Sequence, residues 1–242
     1  MASISAGNND EIGAMIADAI EKVGADGVLS IENGNGLETI VEVEEGMEID
    51  RGYLSAQFVT NNERLQVEFE NARILVTDQK IETVKDLIPI LEAVSQNGGD
   101  PLLIIAEDIT GEALATLVVN KLRGVLNVAA IKAPGFGERR KSLLQDIAIV
   151  TGSTFMAKDL GLGVINATMD CLGNARKVTI TNDSTMVIAD AASRDEIDIR
   201  VAQLKQELAN TDSIYDTQKI SERIAKLSGG VAVIKVPSHV AP

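Results

Sequence analysis

The side chains that carry most enzyme chemistry are scarce in this sequence. Its 242 residues hold one histidine, His239, close to the C-terminal end, and one cysteine, Cys171. Nucleophilic triads and most zinc centres need imidazole or several thiolates brought together. Histidine-based triads and zinc sites are therefore excluded for the body of the chain. Cys171 has no histidine partner and reads as a small packed or surface residue. Alone it makes no internal disulfide, which fits a reducing compartment. The carboxylates Glu107, Asp108 and Glu112 cluster at a helix start. Such a group can do acid–base or metal chemistry, but acidic residues also favour helix N-termini through the dipole. With no third ligand or nucleophile suggested, helix electrostatics is the better reading. Gly135-Phe136-Gly137-Glu138-Arg139-Arg140 contains a G-x-G. It lacks the third glycine of a dinucleotide fingerprint and the lysine of a phosphate loop, so a turn before a helix is expected. Asp50-Arg51-Gly52-Tyr53 reads as a surface turn with a local ion pair.

The elements around these residues follow from periodicity. Apolar residues at helical spacing predict a helix over 9–22, capped by Asn8 or Asn9 and closed near Gly24. Val28–Ile31 is a short strand, Asn33-Gly34-Asn35-Gly36 a turn, and residues 38–44 a second strand, together a strand–turn–strand piece. Strand-like segments at Gln66–Phe69 and Arg73–Val76 precede a helix over 83–95. Leu102–Ala106 is a continuous apolar run, as in a buried strand. A helix over 111–123, a strand over 125–132, a loop at 133–137 and a helix over 138–150 follow. Arg176–Ile180 and Thr185–Ile188 form a strand pair. A capping box at Ser193–Glu196 starts one helix. Asp216 is expected to cap the next, with 211–215 as a short link that makes the two an antiparallel pair. Val231–Val236 is a last strand. Strand and helix alternate, so the fold class is α/β: mixed, partly parallel sheets flanked by helices, plus a small α+β portion.

Two of these helices carry too much apolar surface. A surface helix has an apolar stripe somewhat over about 100° wide. At about 100° per residue, Val84, Leu87, Ile88, Ile90, Leu91 and Val94 span roughly 160°, and Leu114, Leu117, Val118, Val119 and Leu122 roughly 200°. Either a further element covers the excess or it stays exposed as an interaction surface.

Composition narrows the partners. The formal net charge of −14 repels phosphate backbones, and 2% aromatic residues supply no base-stacking platform. Nucleic acid is not an expected partner. No run of about 18 apolar residues is present, so no membrane-spanning helix is expected. The N-terminus has neither the pattern of a secretory signal nor that of a transit peptide. Two reading classes remain beside a binding protein: an α/β enzyme with a cleft at its strand ends, and an inert structural domain.

Longer runs carry a resemblance. Val43–Ser55 (VEEGMEIDRGYLS), Pro101–Arg123 (PLLIIAEDITGEALATLVVNKLR), Lys132–Lys141 (KAPGFGERRK) and Glu222–Val236 (ERIAKLSGGVAVIKV) resemble the group I chaperonins, the chaperonin-60 family. The likeness extends from about Ile4 to Val236. Val67–Arg73 and Asp212–Asp216 look most like the plastid alpha-type branch, which implies the chloroplast stroma.

The resemblance implies that residues 46–230 form a polypeptide-binding apical domain. Residues 1–45 and 231–236 would be parts of an intermediate domain, and 237–242 an appended tail. It implies that Tyr53, Phe58, Ile88, Leu91, Leu114, Val118, Val119 and Asn120 bind non-native polypeptide and the co-chaperonin's mobile loop, in an apolar groove between the 83–95 and 111–123 helices. Gly46, Gly229 and Gly230 would serve as hinges, and Arg51 would join an inter-subunit ion pair in a ring of such subunits. Gln57 stands where many relatives have tyrosine, so a less apolar rim is implied. The family's ATP and Mg belong to a domain whose motifs are absent from this sequence, so no cofactor, no catalysis and a monomeric state are expected.

Overall fold

The structure is a computed structural model, and it describes residues 10–24 and 27–237. The expected cap at Asn8 or Asn9, the single histidine and most of the expected tail lie outside these residues. Contacts divide the chain into two compact units. Residues 48–196 form one, and the flanking segments, up to Met47 and from Ile197 on, form the other. The chain crosses between them within two residues of Gly46, and again at 196/197.

In the unit built from the flanking segments, helix α1 (Asp10–Val23) lies on a three-stranded sheet. The strands are β1 (Val28–Gly34), β2 (Ile40–Glu44) and β12 (Val231–Pro237), in the order β1-β12-β2. β1 runs parallel to β12, and β2 antiparallel to it. The two strands of the expected strand–turn–strand piece both form, but they do not pair with each other, because β12 lies between them. The cause is composition. Val231, Ala232, Val233 and Ile234 are apolar on both faces and all buried, and only a central position hides both faces of a strand. Ala232 and Ile234 join Ala19 and Val23 of α1 in one core. Gly230 enters β12 at φ 64°, ψ −165°, a region open essentially to glycine alone. A Cβ there would stand 2.9 Å from the Glu44 carbonyl oxygen.

The unit of residues 48–196 is built on a seven-stranded mixed sheet. The strands are β3 (Gly46–Ile49), β4 (Val67–Thr77), β6 (Leu102–Ala106), β8 (Val128–Lys132), β9 (Phe155–Met156), β10 (Gly173–Ile180) and β11 (Thr185–Ala189). Their order is β3-β11-β10-β4-β6-β8, with β9 also paired to β4. β4, β6 and β8 run parallel, and β10 is antiparallel to β4 and β11. The two strand-like segments expected between 66 and 76 are one strand, within which Asn71 takes φ 51°. Leu102–Ala106 is buried throughout, as a central strand requires. A short parallel pair, β5 (Lys80–Ile81) with β7 (Asp108–Ile109), stands apart.

The remaining helices among the described residues are α2 (Ile88–Gln96), α3 (Gly111–Leu122), α4 (Gly137–Thr151), α5 (Arg194–Asn210) and α6 (Ile214–Gly229). The helix expected from residue 83 is split. Val84–Asp86 is a 3-10 turn, and α2 begins only at Ile88. Pro89 has no N–H to give to the carbonyl four residues back, so it is tolerated only in a first turn. The cap of α6 is also corrected: Ser213, not Asp216, precedes the helix, and its Oγ accepts from the Asp216 N–H at 3.2 Å.

Candidate polypeptide-binding surface

The expected site residues come from three stretches of the 48–196 unit. The first is the segment from Arg51 to Phe58. The Tyr53 N–H donates to the Thr181 carbonyl at 3.1 Å, and the Leu54 N–H to the Ala130 carbonyl at 2.9 Å. The segment thus threads between the edge of β8 and the turn after β10. Gly52 makes this passage possible, since a Cβ there would fall 2.1 Å from the Asn182 carbonyl carbon. Arg51 lies along the same path. Its guanidinium donates to the Ala133 carbonyl at 3.5 Å and the Asp50 carbonyl at 3.3 Å. The segment ends in a 3-10 turn, Ala56–Phe58, whose N-cap Ser55 accepts from the Gln57 N–H. Phe58 is fully buried there, while Gln57 is exposed and Tyr53 half-buried.

The second stretch is α3, which packs on β8 and on the turns at 56–58 and 84–86. Only Ala113 and Leu117 of this helix are buried. Leu114, Val118 and Asn120 are half-buried, and Val119 and Leu122 are exposed at 43% and 65%. The wide apolar arc is thus covered along one narrow stripe, and its remainder faces solvent. Asn120 directs its amide to the Thr116 carbonyl at 2.8 Å. Val125 extends the apolar surface beyond the helix with 62% exposure. Sequence reading placed it inside a strand, but the strand starts only at Val128.

The third stretch is α2, and here the arc is mostly sealed. Leu87, Ile90, Leu91 and Val94 are buried, Val84 in the preceding turn is half-buried, and Ile88 is exposed at 42%. The helix packs on two 3-10 turns, Val164–Asn166 and Met169–Cys171, which periodicity did not reveal. Leu91 and Val94 line a narrow cleft together with Leu102, Val125 and Leu126. Its free volume is about 20 Å3, room for about one water molecule. Ile88 and Leu91 therefore differ: the first offers surface, the second a wall of this cleft.

Of the carboxylates at the start of α3, Glu107 and Asp108 are engaged in ion pairs. Arg140 meets Glu107 at 3.0 Å and Lys132 meets Asp108 at 3.5 Å. Arg140 also lies 5.7 Å from the Phe136 ring centroid and donates to the Gly135 carbonyl, which closes the turn into α4. Lys141 bonds Asp159 at 2.6 Å. That hydrogen bond, and then the lysine charge, hold the Asp159 carboxyl below the usual aspartate range, while Lys141 is raised in return, chiefly by the same bond. Lys80 is raised by its hydrogen bond to Glu82 and by that carboxylate's charge. Cys171 is half-buried, with its Sγ 3.6 Å from the Thr168 hydroxyl.

The 48–196 unit thus presents an outward aliphatic face on α3, with Glu107 and Asp108 held in ion pairs. The chain is 72% identical, over 98% of its length, to the chloroplastic RuBisCO large subunit-binding protein subunit alpha of Chlamydomonas reinhardtii. The chain belongs to the chaperonin-60 family. The Ricinus communis RuBisCO large subunit-binding protein subunit alpha is 73% identical over the same share, and chaperonin 60 subunit alpha 1, chloroplastic, of Arabidopsis thaliana is 72% identical. The chain spans 40% of the length of the algal and Arabidopsis relatives and 48% of the Ricinus one. Their names mark this as a chaperonin-60 sequence of the chloroplast type. No family model matches the chain.

Proposed function

We propose that this stretch of chaperonin-60 captures non-native polypeptide on the aliphatic face of α3, and that it works by binding rather than turnover. One observation carries the reading. Of the apolar residues on α3 only Ala113 and Leu117 are buried, while Leu114, Val118, Val119 and Leu122 keep solvent-facing surface. Burial of such surface against a client contributes about 25 cal/mol per Å2 before ordering costs. The attraction has no direction, so it suits clients of many sequences. Ile88 and Val125 supply further aliphatic surface, Tyr53 and Asn120 its polar margins, and Leu91 a wall of the adjacent cleft. Buried Phe58 supports α3 from below. Exposed Gln57 keeps the rim polar and the affinity modest.

On the same reading, residues 46–230 act as the substrate-binding domain, with the 48–196 unit as its core, and 1–45 with 231–236 as parts of a hinge-bearing one, with Gly46, Gly229 and Gly230 as the hinges. The clients include the RuBisCO large subunit that the relatives' names point to, in the chloroplast stroma, and the same surface takes the co-chaperonin's mobile loop. Nucleotide and Mg act on the remaining part of a full-length subunit. The isolated chain is a monomer and binds weakly, because a ring presents several such surfaces at once. There Arg51 meets a neighbouring subunit.

The test is capture of reduced, carboxymethylated α-lactalbumin, an unfolded probe, by parent and variant chains. Val119→Glu and Leu114→Glu should each lower capture about tenfold or more, because a carboxylate must be desolvated on the client's apolar side. Exposed Val119 tolerates the change without loss of fold, which circular dichroism checks. Undiminished capture by a folded Val119→Glu chain would sink the reading.

A further inference from the structure

Leu65 is the one large apolar residue of the described chain held in left-handed backbone, at φ 52°. It ends the tight loop Asn62–Leu65, closed by the bridge between Asn61 and Gln66. Loops of this kind are usually built on a turn followed by a left-handed residue, and that place belongs to glycine or asparagine. A branched side chain there works against the backbone. Nor is the leucine compensated by burial, for it is 65% exposed. Folding alone would favour another residue here.

The loop is held firmly. The Asn61 side-chain oxygen accepts from the Glu63 and Arg64 N–H groups, both at 3.1 Å, and Gln66 exchanges backbone bonds with Asn61. The side-chain amides of Asn61 and Gln66 both reach Glu68. Leu65 is thus presented at a fixed place. That place adjoins the proposed capture surface, because the Tyr53 hydroxyl donates to the Leu65 carbonyl at 3.4 Å. From Tyr53 the same segment runs on to the 56–58 turn under α3.

We infer that Leu65 is a further client-binding residue, a preset apolar anchor that takes one apolar side chain of a non-native polypeptide beside Tyr53. The inference rests on the capture function proposed above. Its flanking residues Asn62, Glu63 and Arg64 are polar and exposed. The apolar patch is therefore a single side chain wide. That is too small for a stable interface with a folded partner, which needs roughly 1,000 Å2 or more. It suits one residue of a flexible chain that also lies on α3.

Asparagine fits left-handed backbone and removes the apolar anchor. Leu65→Asn should therefore keep or raise Tm while weakening capture of reduced, carboxymethylated α-lactalbumin by about tenfold, the loss expected for one buried leucine-sized contact. Leu65→Met, which restores an apolar side chain, should recover most of it. Unchanged capture by Leu65→Asn overturns the inference. So does a Tm lowered by several degrees, which would make Leu65 a structural residue. Concentration-dependent dimers of the parent that Leu65→Asn abolishes would assign the residue to self-association instead. The Val119→Glu chain separates the two ideas: its failure to lose capture removes the α3 reading, whereas loss there with none at Leu65→Asn removes only the anchor.

Discussion

At the residue scale, the best-defined constraint on the surface is Gly52. Its neighbours leave no room for a side chain, with Asn182 backbone atoms 2.1–2.2 Å from where a Cβ would stand. Gly52→Ala must move the segment that carries Tyr53 or the turn it passes. The expected cost is about 1–3 kcal/mol in denaturant unfolding, with weaker client capture because Tyr53 shifts. An alanine chain of parental stability would contradict the packing described. The Lys141–Asp159 pair gives a second test. The Asp159 carboxyl is lowered from 3.8, so its contribution is complete above that value and fades as pH falls through the lowered pKa. Lys141 is raised from 10.5, so its share is complete below that value and fades as pH rises through the raised pKa. An NMR titration should find the Asp159 carboxyl below its ordinary range, returning to it in Lys141→Met. An unshifted parent would refute the pairing. Nothing in the sequence linked these two residues, 18 positions apart, nor Tyr53 to the Leu65 carbonyl. Such contacts depend on how loops fold back, which local pattern does not encode.

At the element scale, the apolar arcs of the two helices were legible, but what covers them was not. Both arcs exceed an ordinary amphipathic stripe, yet they have different fates. α2 is sealed by the short turns at 164–166 and 169–171, irregular segments with no periodic signature. α3 has no comparable cover on Val119 and Leu122. Proline chemistry explains the other miss: Pro89 forces α2 to begin at its own first turn, and a 3-10 turn fills the rest of the expected helix. The two faces of α3 can be told apart energetically. Leu117 is fully buried, so Leu117→Ala should cost about 2–5 kcal/mol in urea unfolding. Val119→Ser should change stability by less than about 0.5 kcal/mol, as a surface substitution does, while client capture falls. Equal stability losses at the two positions would mean that Val119 is packed, and would remove the exposed face on which capture depends.

At the scale of the whole molecule, one unit is made of a single stretch and the other of two stretches that meet only after the first is complete. The sequence showed β12 as a final apolar strand, and it gave the alternation behind the larger mixed sheet. It did not show that β12 enters between β1 and β2, because strand order depends on contacts some 200 residues apart. That insertion makes a sharp prediction. A chain ending at residue 230 keeps every strand of the 48–196 unit but loses the centre of the smaller sheet. β1 and β2 then have no common partner, and Ala19 and Val23 lose Ala232 and Ile234 from their core. A small unit with so little core left cannot offset the entropy of ordering it. Hydrogen exchange should show fast exchange throughout β1 and β2 in the shortened chain, while β4, β6 and β10 remain protected and client capture persists. Protection retained in β1 would mean that the two N-terminal strands pair with each other after all, and loss of protection in β6 would mean that the larger unit does not stand on its own core.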